Sequence, residues 1–165
     1  QNAFLGQEGT NLPEAWLNTG MAEPFVMASA TWGNGGPPPP VDPVAGVTSL
    51  VTGVYSGKGK SVTFTATSTF VVGDGVTVRA QVNDENGLPV LGATLTLAIS
   101  GPENSTIIGT SDATGLAELT WNTSAPNRKG TGGTPSGPYS ITTSDVAASG
   151  YVWDGIGTSA SFTLQ

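Results

Sequence analysis

There is no cysteine and no histidine among the 165 residues. Their absence removes thiol and imidazole chemistry, the usual zinc and copper ligands, and the Ser-His-Asp and Cys-His catalytic arrangements. No disulfide can brace the fold, and a cysteine-free chain suits the cytosol and bacterial export equally. Charge is also scarce: charged residues make up 10% of the chain, and the net charge is −7 at pH 7. Lys58, Lys60, Arg128 and Lys129 fall in stretches that read as loops. They cannot form the basic stripe that nucleic acid or anionic lipid requires, so those partners are excluded. No apolar run approaches the ~20 residues of a membrane span, which argues against membrane insertion.

Gly, Ser, Thr and Pro fill the space that charge leaves. Val, Leu, Ile and Phe are nonetheless plentiful in the second half, which argues for a folded domain over a disordered chain. Gln1 is not a translation start, and trimming is expected; exposure of Gln1 by signal-peptide cleavage fits secretion. Residues 1–36 differ in character from the rest and are expected to be an N-terminal extension or a remnant of an upstream domain. Within them, Asn11 and Glu14 suit the start of a short helical turn. Phe25, Val26, Met27 and Trp32 belong to an apolar segment of strand length, 24–32. That segment packs on its own domain or is donated as a strand to a neighbouring copy. Residues 37–46 open with four consecutive prolines after a glycine-rich hinge, the composition of a stiff spacer.

From Val47 to Gln165 the dominant signal is alternation. Val76, Val78, Ala80 and Val82 recur at every second position, as do Leu95, Leu97 and Ile99. Such a period fits strands with one face buried and one wet. Between these runs stands Asp84-Glu85-Asn86-Gly87, turn chemistry in which the Asp carboxylate accepts backbone N–H groups and Gly87 takes a positive φ. Asp112-Ala113-Thr114-Gly115 repeats the device ahead of Leu116–Trp121. Further strands are expected over 47–55, 61–70, 106–110, 139–146 and 160–164, with Val62, Phe64, Ala66 and Phe70 on one side of theirs. About seven or eight short strands with turns at this spacing predict an all-β, Ig-like antiparallel β-sandwich.

The stretch Asp84-Glu85-Asn86-Gly87-Leu88-Pro89-Val90-Leu91-Gly92-Ala93-Thr94-Leu95 resembles the D-x-x-G-x-P-V-x-G-A-x-V segment of bacterial immunoglobulin-like domains, the invasin/intimin type among them. Asp112-Ala113-Thr114-Gly115-Leu116-Ala117 is similar to the turn that follows in that group. Tyr139–Val146 and Gly150–Asp154 resemble the end of a related module at the C-termini of secreted bacterial hydrolases. The resemblance covers residues 47–165 and rests on turn and core motifs, which specify a fold far better than a function. It implies an extracellular or cell-surface, non-catalytic structural or adhesive unit with no catalytic residue. The implied partners are an upstream domain of the same precursor or neighbouring copies of the chain.

Carboxylates are the remaining source of chemistry. Glycoside hydrolysis needs two acids facing across a cleft, but Asp84 and Asp112 sit where turns call for Asp, and Glu118 falls on the wet side of a strand. The expectation is no enzyme. Asp84, Glu85 and Asn86 crowd oxygens into one turn, the setting for a structural calcium, although the EF-hand spacing is absent; no cofactor is expected. Tyr151 and Trp153 share one side of an extended segment. They serve as a lid on the core or as a platform for polysaccharide, to which aromatic faces bind by burying apolar area. Trp121 and Tyr139 pose the same choice. Asn104 and Asn122 each open an N-glycosylation pattern that acts only in a glycosylating host.

Overall fold

The structure, a computed structural model, describes residues 41–58 and 61–165. Its strands are β1 (Val44–Lys58), β2 (Ser61–Ala66), β3 (Thr69–Phe70), β4 (Gly75–Asp84) and β5 (Thr94–Ser100) in the first half. The second half supplies β6 (Ser105–Thr110), β7 (Leu116–Asn122), β8 (Gly137–Ala147), β9 (Val152–Trp153) and β10 (Ser159–Leu164). The helical turn expected at Asn11 and the segment bearing Phe25, Val26, Met27 and Trp32 lie outside the described residues.

One sheet runs β2-β1-β4-β7, with β9 added beside the start of β1; the other runs β3-β10-β8-β5-β6. If the β1–β2 hairpin is taken as an elaborated first strand, the layers follow an immunoglobulin-like sandwich except that the fourth principal strand, β6, joins the third in the second layer. The first, second and fifth principal strands form one layer, and the rest form the other. The alternating runs meet between the layers. Val76, Val78, Ala80 and Val82 face Leu95, Leu97, Ile99, Ile141 and Leu164, all buried in one continuous core. Each Val, Leu or Ile side chain among them contributes ~1.5–3 kcal/mol when fully withdrawn from water.

Aromatic residues fill one end of that core. Trp121 lies 5.1 Å from Tyr139 and 6.0 Å from Phe162 between ring centres, and Phe70 meets Phe162 edge-on at 5.6 Å. The Tyr139 hydroxyl donates to the Pro135 carbonyl at 2.8 Å. A tyrosine near the start of this strand bonding to backbone a few residues upstream is the tyrosine corner of such sandwiches. Burial raises the Tyr139 pKa above its ordinary value.

Two expectations need correction. β1 starts at Val44 and continues to Lys58 because Ser56, Gly57 and Lys58 pair with Thr63, Val62 and Ser61, which carries the hairpin past the predicted end at Tyr55. The single strand expected over 61–70 is two. The chain leaves the first sheet at Thr67, whose N–H bonds to Thr52 O at 3.0 Å, and rejoins the fold as β3 beside β10. Val62, Phe64 and Ala66 do share a side, but it is the outer one, whereas Phe70 is buried. Within the extended segment that carries Tyr151 and Trp153, Val152 and Trp153 form β9.

Candidate functional site

The two Asp-Gly turns and β9 converge on the end of the sandwich where β1 begins. Asp84 Oδ1 accepts the N–H groups of Asn86 at 2.9 Å and Leu88 at 2.8 Å. Asp112 Oδ1 accepts those of Thr114 at 2.8 Å and Leu116 at 3.1 Å, along with the Thr114 hydroxyl. The turns are tied together by Ser111, which is buried; its Oγ donates to Val90 O at 2.6 Å and accepts from Ala93 N at 2.9 Å. Nothing in the sequence marks that serine, because its partners lie in the other loop.

The Thr114 hydroxyl, then the backbone N–H groups of Thr114 and Leu116, hold the Asp112 carboxyl below its ordinary value of 3.8. A pKa depressed in the folded state supplies stability above the unfolded value, and that stability is lost as pH falls through the folded one. The stability gap between the native chain and Asp112→Ala should therefore be constant near neutrality and close as pH drops below 3.8. Denaturant titrations at several pH values check this; a gap independent of pH contradicts it.

Glu85 is also committed to the backbone. Its Oε2 accepts Val44 N–H at 2.7 Å, and its own N–H donates to Val44 O at 3.1 Å. Two of the oxygens considered for calcium, Asp84 Oδ1 and Glu85 Oε2, are thus engaged in shaping the turn and holding the start of β1. No group of three Asp or Glu side chains converges among the described residues.

Tyr151 and Trp153 are half-buried and pack against the core, while Val152 between them is exposed. Trp153 Nε1 is buried and meets no acceptor among the described residues. An unpaired buried donor is costly, so removing it offsets the area lost with the smaller ring. Trp153→Phe is expected to change stability by less than about 1 kcal/mol, whereas Trp153→Ala should cost about 2–3 kcal/mol. A large loss in both variants, measured by chemical denaturation, would show that Nε1 has a partner. Trp121 and Tyr139 are both core residues.

The outer face of the first sheet carries a cluster that sequence reasoning missed. The Phe64 ring occupies the space where a Gly53 Cβ would stand, and the Arg79 guanidinium lies 4.2 Å from its centre. Arg79 Nε pairs with Glu118 Oε2 at 3.1 Å, and its Nη2 donates to Tyr55 Oη at 2.7 Å; Tyr55 in turn donates to Glu118. The Tyr55 and Glu118 contacts raise the Arg79 pKa above its ordinary value. Wet-face positions for Arg79 and Glu118 were legible from alternation, but their pairing depends on a cross-strand register, Arg79 opposite Glu118, that no local signal specifies. With both side chains about one-third exposed, such a pair is screened by water and adds little to stability.

A shallow hollow of about 400 Å³ lies on the second sheet, lined by Ser68, Ser100, Pro138, Ser140, Ser161 and Thr163 over Tyr139 and Phe162. Hydroxyls line it, with no carboxylate or cationic group beside them. Asn104 and Asn122 are exposed at strand ends. No family model matches the chain, and no curated protein matches it in sequence.

Proposed function

We propose that the chain is a non-catalytic extracellular module of the bacterial immunoglobulin-like kind, acting as an in-line structural or adhesive spacer. It would be the accessory unit of a secreted or surface protein. One observation carries this reading: the chain enters the sandwich at one pole and leaves at the other. β1 begins beside Asp84, at the pole of the β4–β5 turn, because Ala45 pairs with Asp84. β10 ends beside Gly137, where β8 starts, at the opposite pole. A spacer needs that separation. The conversion of Asp84, Glu85 and Asp112 into turn-builders further supports a structural role. The test is light scattering on a sizing column with the full chain. A monomer close to the 16.6 kDa chain mass is expected, and self-assembled polymers would contradict it.

A second reading is favoured by the edge of β6, which is unpaired among the described residues. Ser105–Thr110 carries no charge and no proline, and Ile108 is exposed. Unprotected edges of this kind accept an added strand. In that case the segment with Phe25, Val26, Met27 and Trp32 completes a neighbouring copy's sheet in a filament. Polymers that vanish on deletion of residues 1–36 would establish it.

A further inference from the structure

The two shortest strands are the only ones among the described residues that pair in parallel, and each grips the chain where it enters or leaves the sandwich. At the entry, β9 sets Val152 opposite Val44 and Trp153 opposite Ala45. Val152 N–H donates to Pro43 O at 3.0 Å, and Asp154 N–H donates to Ala45 O at 3.0 Å. On the other side of the same residues, Ala45 pairs with Asp84 of β4, and Val44 exchanges hydrogen bonds with Glu85. At the exit, β3 sets Thr69 opposite Thr163 and Phe70 opposite Leu164. Thr163 N–H donates to Ser68 O at 2.8 Å, and Gln165 N–H donates to Phe70 O at 2.9 Å. Across from β3, Thr163 and Leu164 pair with Pro138 and Gly137 of β8.

A strand at the edge of a sheet is bonded on one side only. Here the first and last residues of the sandwich are bonded on both sides. Because the ends lie at opposite poles, a pull on the chain draws β1 and β10 outward along their own axes. Antiparallel ladder bonds lie perpendicular to the strands, so a lengthwise pull loads all of them together instead of peeling them one by one. Side chains also oppose sliding. Trp153 packs against the core, Phe70 is buried against Phe162, and the Asp154 carboxylate lies across Gly46 where a Cβ would stand.

We infer that the module bears tension along the chain, with β9 clamping the entry of β1 and β3 clamping the exit of β10. The inference rests on the in-line spacer reading and adds a mechanical load to it.

The chain has no native cysteine, so attachment points can be introduced in pairs into the full-length protein. One pair is Val41→Cys with Gln165→Cys, across the two poles. The other is Asn86→Cys with Ala113→Cys, in the two turns at a single pole. Forced unfolding follows the unfolding rate, and the chain held at 41 and 165 should survive at least about tenfold longer at the same clamped force. Val152→Pro deletes the N–H that bonds Pro43 O. It should shorten the lifetime in the pole-to-pole geometry and leave the single-pole lifetime unchanged. Equal lifetimes in the two geometries overturn the clamp, as does a Val152→Pro loss of the same size in both. Such a failure is distinct from failure of the spacer reading, which the mass measurement decides.

Discussion

Gly115→Ala is expected to lower stability by about 3–5 kcal/mol, combining the strain of a non-glycine residue at positive φ with a collision against fixed backbone. Gly115 has φ 76°, and a Cβ there would land on the Val82 carbonyl oxygen and come within 2.7 Å of Gln81 Nε2. That oxygen cannot yield cheaply. It accepts Val90 N–H at 3.1 Å, while Val82 N–H donates to Gly115 O at 2.8 Å. Gly87 provides the control. Its φ is 79°, but nothing lies within 4 Å of its absent Cβ. Gly87→Ala should therefore cost only the conformational term, ~1–2 kcal/mol. Urea titrations read both, as shifts in midpoint at unchanged slope. Similar losses at the two positions would mean that the Asp112 turn is not pressed against β4 as described.

Trp121→Ala should be comparably severe, at about 3–5 kcal/mol. The ring is buried among Tyr139, Phe162 and the inner faces of both sheets, and alanine leaves a void that the aromatic cluster can only partly close. Against a total stability of ~5–15 kcal/mol for a domain, either substitution brings the chain near unfolding. A Trp121→Ala loss no larger than that of Trp153→Ala would indicate that the aromatic end is not part of the main core. Near-ultraviolet circular dichroism and denaturation together decide the point.

Much of the fold was legible because two signals do not depend on distant residues. Alternation over Val76–Val82 and Leu95–Ile99 fixes which side of each strand is buried. Asp-x-x-Gly at 84–87 and 112–115 forces turns through the side chain's own hydrogen bonds, which fixes where the strands reverse. What was not legible lay in long-range pairing. β9 is two residues long and takes its identity from β1 at the far end of the chain. β2 reads as a core strand by its apolar period, yet hairpin pairing with β1 turns Phe64 to the outer face. In β8, a register shift opposite Thr96 and Leu97 breaks strict alternation, so Thr143 and Val146 both face inward. Of the candidate site residues, Tyr151 and Trp153 could be placed on one side of an extended segment. Their packing against the core and their grip on the entry strand required the third dimension.

The opposed poles can be measured directly. Spin labels at Val41→Cys and Gln165→Cys in the full chain report the separation of entry and exit by pulsed electron resonance. The 11-residue β8 spans the sandwich from pole to pole, roughly 35 Å at about 3.3 Å per residue. A single narrow distribution near that length is the result expected of an in-line spacer. A distance below about 20 Å, the reach of six extended residues, would place both ends at one pole and contradict it.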